Sequence, residues 1–283
     1  MAVLESGPRG GGRGGSASHS RAWLWLTVPI TVLVVAAAGG ELLFDVFRGD
    51  SPYLIAQAVG QDLVTLLVAL PALVVGAALA YRGSDRARLV WLGVLVYLVY
   101  TYVIYAFHIR FNPLFLVYVA LLGFSLYALI GGLATTDFEG IKARYARERP
   151  AKAAGTFLLA VSVLFYFVWL GEVIPALFSG NVPQSIADNG TPTNGVHVLD
   201  MAWILPSLAI TGVWLRRKRA VAYALAGALL TFLPLLALAI VVMVFAMALY
   251  GQAASVAPAA IFGLLAVASS WMLVRYMRGM KAG

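Results

Sequence analysis

The sequence predicts an all-α fold: a polytopic membrane helix bundle of eight transmembrane helices, read as a four-plus-four parallel internal repeat. Three observations predict it. Hydrophobic residues fill 62% of the 283 positions and charged residues only 11%, whereas a soluble domain carries about 25% charge. Apolar runs long enough to cross a hydrocarbon core of about 30 Å recur along the whole chain. Two stretches also echo each other. Residues 40–52 read GELLFDVFRGDSP and residues 171–183 read GEVIPALFSGNVP, with five of 13 positions identical and four conservative. Each closes a long apolar run, so each half sets a glutamate at the same depth.

Residues 1–21 are rich in Gly, Ser and Arg and have almost nothing to bury, which predicts a disordered basic cytoplasmic tail. Spans follow at 22–47, 62–81, 89–108 and 113–133, then at 155–178, 198–215, 220–249 and 256–274. The membrane halves are 22–133 and 155–274, joined by a cytoplasmic linker at 134–154 and followed by a tail at 275–283. Span 1 has the outline of a signal peptide, with basic residues before WLWLTVPITVLVV and AAAGG after it. The echo at span 5 argues that it is kept. Asp62 and Asp200 open spans 2 and 6, where a carboxylate caps free N–H groups and suits the helix dipole. Both spans then contain Leu-Pro, at Leu70-Pro71 and Leu205-Pro206, with Asp-to-Pro spacings that differ by three. Pro113 opens span 4. In the linker, Phe138, Ile141 and Tyr145 recur at helical spacing among basic residues, predicting a short amphipathic helix on the membrane surface. Ala220, Ala224 and Ala228 in span 7, and Ala259 and Gly263 in span 8, are small residues four apart that let helices approach closely.

Charge orients the bundle. Eighteen of the 20 Lys and Arg fall at the termini or in every second loop, leaving only Arg48 and Arg110 opposite. The positive-inside rule then places both termini in the cytoplasm. The net charge of +8 divides into +13 on the cytoplasmic side and −5 outside. The partners this implies are the lipid bilayer and anionic lipid head groups at the cytoplasmic face. Nucleic acid is not implied, since the tail has three Arg and no interleaved aromatics.

Several chemistries are excluded or unsupported. With no Cys there is no disulfide, thiolate nucleophile or zinc–thiolate site. No phosphate loop, nucleophile elbow or dinucleotide fingerprint is present. All four lysines lie in cytoplasmic loops or the tail, so a retinal-type Schiff base has no candidate. No cofactor is expected.

The polar residues within the membrane carry what functional signal there is. Glu41 and Glu172 form the candidate proton or cation site. Gly49 and Gly180 read as helix C-terminal caps with Pro52 and Pro183 beyond, which sets each glutamate roughly 10 Å inside its helix. Such groups usually face a bundle interior or an aqueous cavity. The structural alternative is a helix that unwinds early and leaves each glutamate in interfacial water. Tyr97, Thr101, Tyr105 and His108 share one face of span 3 and should point inward. Thr27, Thr31, Ala38, Glu41 and Asp45 do so on span 1, and Ser162, Phe165, Trp169 and Glu172 on span 5. Tyr97, Tyr105 and His108 complete the candidate site. Asp62, Asp200, His197, Arg110 and Asn112 are candidates at the outer rim. The histidines and carboxylates have metal-ligand chemistry, but no paired spacing joins them in sequence, so a metal site needs the fold to converge them.

Residues 97–130, YLVYTYVIYAFHIRFNPLFLVYVALLGFSLYALI, and more weakly residues 197–212, HVLDMAWILPSLAITG, resemble uncharacterised bacterial multi-span integral membrane proteins. The resemblance implies a bacterial cytoplasmic membrane and no known activity. Three functions follow from the residues. The first is a small proton- or cation-coupled transporter, because repeated halves with intramembrane carboxylates suit a coupled carrier. The second is a non-transporting sensor, assembly factor or partner subunit with an acidic outer face. A membrane-embedded enzyme, which has no signature here, comes third.

Overall fold

The computed structural model describes residues 21–44, 46, 49–145, 148–252 and 256–281. Asp45, Arg48 and all of the N-terminal tail before Arg21 lie outside the described residues. Among the described residues, eight helices are long and apolar enough to cross a membrane: Arg21–Phe44, Pro52–Tyr81, Asp85–Phe107, Phe115–Ala134, Arg149–Ser179, Gly195–Arg216, Ala220–Leu249 and Val256–Arg278. They are spans 1 to 8 below. Among the described residues there is no strand, only an isolated bridge between Tyr145 and Met280.

The distribution of apolar side chains is that of a multi-pass membrane protein. Phe44, Leu67, Phe167, Leu264 and Val267 are each 71–75% exposed. A belt of this kind has no place in water, and the helices satisfy their own backbone groups as a bilayer requires. Span 3 is the axis, 78% buried where span 8 is only 11% buried. Span 7 packs beside it and also touches spans 2, 6 and 8, while spans 5 and 6 pair along their length. Glycines set these crossings. A Cβ on Gly93 would lie 2.4 Å from the Ala228 carbonyl oxygen, one on Gly60 2.5 Å from the Met243 backbone, and one on Gly155 2.9 Å from the Gly212 carbonyl oxygen. Of the predicted small-residue steps, Ala224 and Ala228 are buried. Gly263 meets nothing nearer than Val241 at 4.0 Å.

Spans 2 and 6 begin earlier than the sequence predicts, and this corrects the role of two aspartates. Span 2 starts at Pro52, with Ser51 capping the Leu54 N–H. Span 6 starts at Gly195, with Asn194 capping Val196 and His197. Asp62 therefore sits mid-helix and Asp200 five residues in, so neither is an N-cap. The glutamines at 57 and 61 lower the hydropathy of the first turns and hid that start. Both helices also contain a π-helical turn, Thr65–Ala69 and Asp200–Ile204, each followed at once by Leu-Pro. In π register residue i donates to i−5, so Pro206, which has no N–H, leaves the Met201 carbonyl without its partner. The Tyr166 hydroxyl donates to that carbonyl at 2.9 Å, and Ser162 donates to the Leu205 carbonyl at 2.8 Å.

Two loops also differ from expectation. Span 4 starts at Phe115 rather than Pro113. Before it, Asn112 folds a local turn, accepting from the Leu114 N–H at 2.8 Å and donating to the Arg110 carbonyl at 3.3 Å. The linker helix, Phe138–Ala143, turns inward instead of lying on lipid. Ile141 is buried, and Tyr145 packs on Tyr223 and Tyr276 with ring centroids 5.1 and 5.0 Å away. Burial pushes the Tyr145 phenol up from its ordinary range. This plug closes the end of the bundle that carries Arg21 and the C-terminal residues. The opposite end is called distal below.

Candidate functional site

Three polar groupings occupy the distal half of the bundle. The first joins Glu41 of span 1 to Asp62 of span 2. Both side chains are buried, and their carboxyl groups lie within hydrogen-bonding reach of each other. Each has one further oxygen held by a tyrosine. Tyr118 donates to Glu41 Oε1, and Tyr105 donates to Asp62 Oδ1 at 3.0 Å. Tyr102 stacks between them, with ring centroids 5.7 Å from Tyr105 and 6.3 Å from Tyr118. Glu41 Oε2 and Asp62 Oδ2 have no other partner among the described residues. Two carboxyl groups this close in a dry space repel each other when both are charged, and a proton shared between them relieves that cost.

The second grouping surrounds Glu172. Ser185 donates to its Oε1 at 2.7 Å, and His197 Nε2 lies 3.5 Å from its Oε2. Asn194 donates to Ser185 at 3.1 Å, and Trp169 packs on the His197 ring with centroids 4.5 Å apart. Gly180, at φ +69°, ends span 5 as expected. The Asn181 N–H turns back to the Ala176 carbonyl at 3.2 Å, the bond of a left-handed helix cap. Glu41 and Glu172 thus have no partner in common and belong to separate sites.

The third grouping lines a cavity of about 400 Å³. Its walls come from the distal parts of spans 2, 3, 5, 6, 7 and 8 and from the loop after span 5. Tyr105, His108 and His197 line it, whereas Glu41, Glu172, Asp62, Asp200, Tyr97, Arg110 and Asn112 do not. Two tyrosines of span 3 connect it to carboxylates behind its walls. Tyr105 reaches Asp62, and Tyr100 donates to Asp200 Oδ1 at 3.0 Å while Trp169 donates to Asp200 Oδ2 at 2.9 Å. The short helix Gln184–Asn189 roofs the cavity. Ser51 donates to the Asn189 carbonyl at 3.1 Å and Gln57 to Asn189 Oδ1 at 3.0 Å, tying the roof to span 2.

The remaining candidates shape the distal rim. Asp50 Oδ1 accepts the Arg110 N–H at 3.3 Å. Burial pushes the Asp50 carboxyl up, against the pull of Arg110 and His108. Burial also pushes the His108 imidazole down, opposed by Asp50. Among the described residues no three His, Asp or Glu converge as metal ligands. The residues missed in the sequence are Gln61, Tyr100 and Tyr118. A signal for the first existed, since Gln57, Gln61 and Thr65 are four apart on one helix face.

The chain matches no family model, no curated protein and no solved structure. Its site is therefore defined by geometry alone.

Proposed function

We propose that the protein is a small proton-coupled carrier of the bacterial cytoplasmic membrane, with both termini in the cytoplasm and the distal end outside. The observation that carries this reading is the buried Glu41–Asp62 pair, joined through the Tyr105 hydroxyl to the cavity. A pair that holds one proton in a dry site is what coupling needs, because loss of the proton leaves a charge the site tolerates poorly. Support for two equivalent halves comes from spans 2 and 6, each with a π turn before Leu-Pro. Aligned at that Leu-Pro, Asp62 falls opposite His197, so the Glu41–Asp62 and Glu172–His197 pairs occupy corresponding places.

The test is gradient-driven flux of small amphiphiles into proteoliposomes, comparing the native chain with Glu41→Gln and Asp62→Asn. The expected result is flux that follows the imposed pH gradient and disappears in both variants. Flux unchanged by either substitution would remove the reading. The second reading, a non-transporting receptor or partner subunit, is favoured by a different observation: every residue lining the cavity lies in the distal half. For that reading the same assay returns binding with no flux at all.

A further inference from the structure

We infer that the cavity is a binding site for a small amphipathic amine, whose ammonium group donates to Gln61 Oε1 while its apolar body lies along span 7. This rests on the same cavity as the carrier reading and names the class of molecule carried.

The hydrogen-bond chain around Gln61 fixes which way its amide faces. Thr65 Oγ1 donates its one proton to the backbone carbonyl of Gln61 at 2.8 Å. It must then accept from the Tyr97 hydroxyl, 2.9 Å away. With its proton committed, Tyr97 accepts from Gln61 Nε2 at 2.9 Å, and the second amide proton goes to Thr101 Oγ1 at 2.8 Å. Both N–H groups of the side chain are used. Gln61 Oε1 is left with no donor among the described residues, on a residue that lines the cavity and is only 5% exposed. A buried acceptor in that position calls for a donor from outside the chain.

The surroundings select the charge. Among the described residues, no Lys or Arg lines the cavity. His108, the neighbouring imidazole, is kept toward its neutral form by burial. Asp188 lines the roof, and Asp62 and Asp200 stand one hydroxyl behind opposite walls. Tyr100, Tyr105, Trp169 and Phe262 offer ring faces, which attract a cation and repel a carboxylate. Leu236, Ile240 and Met243 make the facing wall apolar. The volume fits a small organic molecule rather than a bare ion.

The test is isothermal titration calorimetry of the full chain in lipid nanodiscs at one pH, with no gradient. The probes are naphthylethylamine, naphthylethanol and naphthylpropionate, which share one apolar body. The amine is expected to bind tightest, about tenfold or more above the propionate. Gln61→Leu should weaken the amine about tenfold, the loss of one hydrogen bond to a charged donor. Ile240→Trp, which fills the cavity from the opposite wall, should abolish binding and serves if Gln61→Leu does not fold. The inference is overturned if the propionate binds as tightly as the amine, if Gln61→Leu folds and binds the amine unchanged, or if the folded native chain binds none of the three. Amine binding without gradient-driven flux would instead reject the carrier reading and leave this site standing.

Discussion

Replacing Glu41 by two residues of similar size separates what its shape contributes from what its proton contributes. Glu41 is 6% exposed and touches a tyrosine donor and a second carboxyl group. In Glu41→Met the apolar side chain fills the space, but Tyr118 loses its acceptor and Asp62 its proton-sharing partner. Two buried polar groups left unpaired cost about 1–3 kcal/mol each, so a loss of about 2–6 kcal/mol is expected. In Glu41→Gln the amide still accepts from Tyr118 and donates an N–H to Asp62, standing in for the shared proton. That variant should lose no more than about 1 kcal/mol. The assay is thermal unfolding in a mild detergent, followed by tryptophan fluorescence, with Tyr118→Phe added to close a double-mutant cycle. The coupling between Glu41→Met and Tyr118→Phe should be about 1–2 kcal/mol. The reasoning is refuted if Met is as stable as Glu, since no hydrogen-bonded pair is then being lost. It is equally refuted if Gln is as damaging as Met, since no proton then lies between the carboxyl groups.

Further outcomes follow from other sites. Tyr166→Phe should cost about 1–3 kcal/mol by leaving the Met201 carbonyl unpaired, and less in a Pro206→Ala background, where a backbone N–H returns. Chemical unfolding of the two single variants and the double reads this directly. Gly93→Ala should lose at least about 1–3 kcal/mol from the clash with span 7, while Gly123→Ala, with nothing within 4 Å of the new Cβ, should be neutral or gain about 0.5–1 kcal/mol. Melting temperatures of the pair distinguish a close crossing from a general intolerance of side chains. His108 has a folded pKa below its unfolded value, so the unfolded chain takes up its proton first. The contribution of His108 to stability is complete above the ordinary imidazole range and declines as pH falls through that range. A His108→Gln variant should show a flatter profile there when melting is followed against pH.

The spans themselves were legible because length and apolarity are sufficient signals for a membrane helix. Their ends were not, where glutamines softened the boundary. Residues 52–61 read as loop because Gln57 and Gln61 break the apolar run, yet both glutamines line the cavity rather than face lipid. Inward faces were legible from spacing: Tyr97, Thr101 and Tyr105 are buried as their four-residue steps predict. Partners were not, because helix order along the chain does not say which faces meet. Glu41 and Glu172 look alike in sequence, and the fold gives one a carboxyl partner and the other a histidine. Tyr118 left no signal, since one tyrosine among the aromatics of span 4 reads as a belt residue. The π turns were invisible as well. Leu-Pro marks a missing donor, but only the packed neighbour reveals which carbonyl has been rescued.

Those two turns have a mechanical consequence. A helix bends first where its ladder of hydrogen bonds is widened and a donor is missing. Spans 2 and 6 each carry one such soft point, with an ordinary helix on either side. Both soft points are bonded to span 3, because Thr65 opens one and is bonded to Tyr97, while Asp200 opens the other and is bonded to Tyr100. Span 3 therefore grips both pivots at once. A change at Tyr97 or Tyr100 therefore reaches beyond its own helix, to the two turns where spans 2 and 6 depart from regular α-helical bonding.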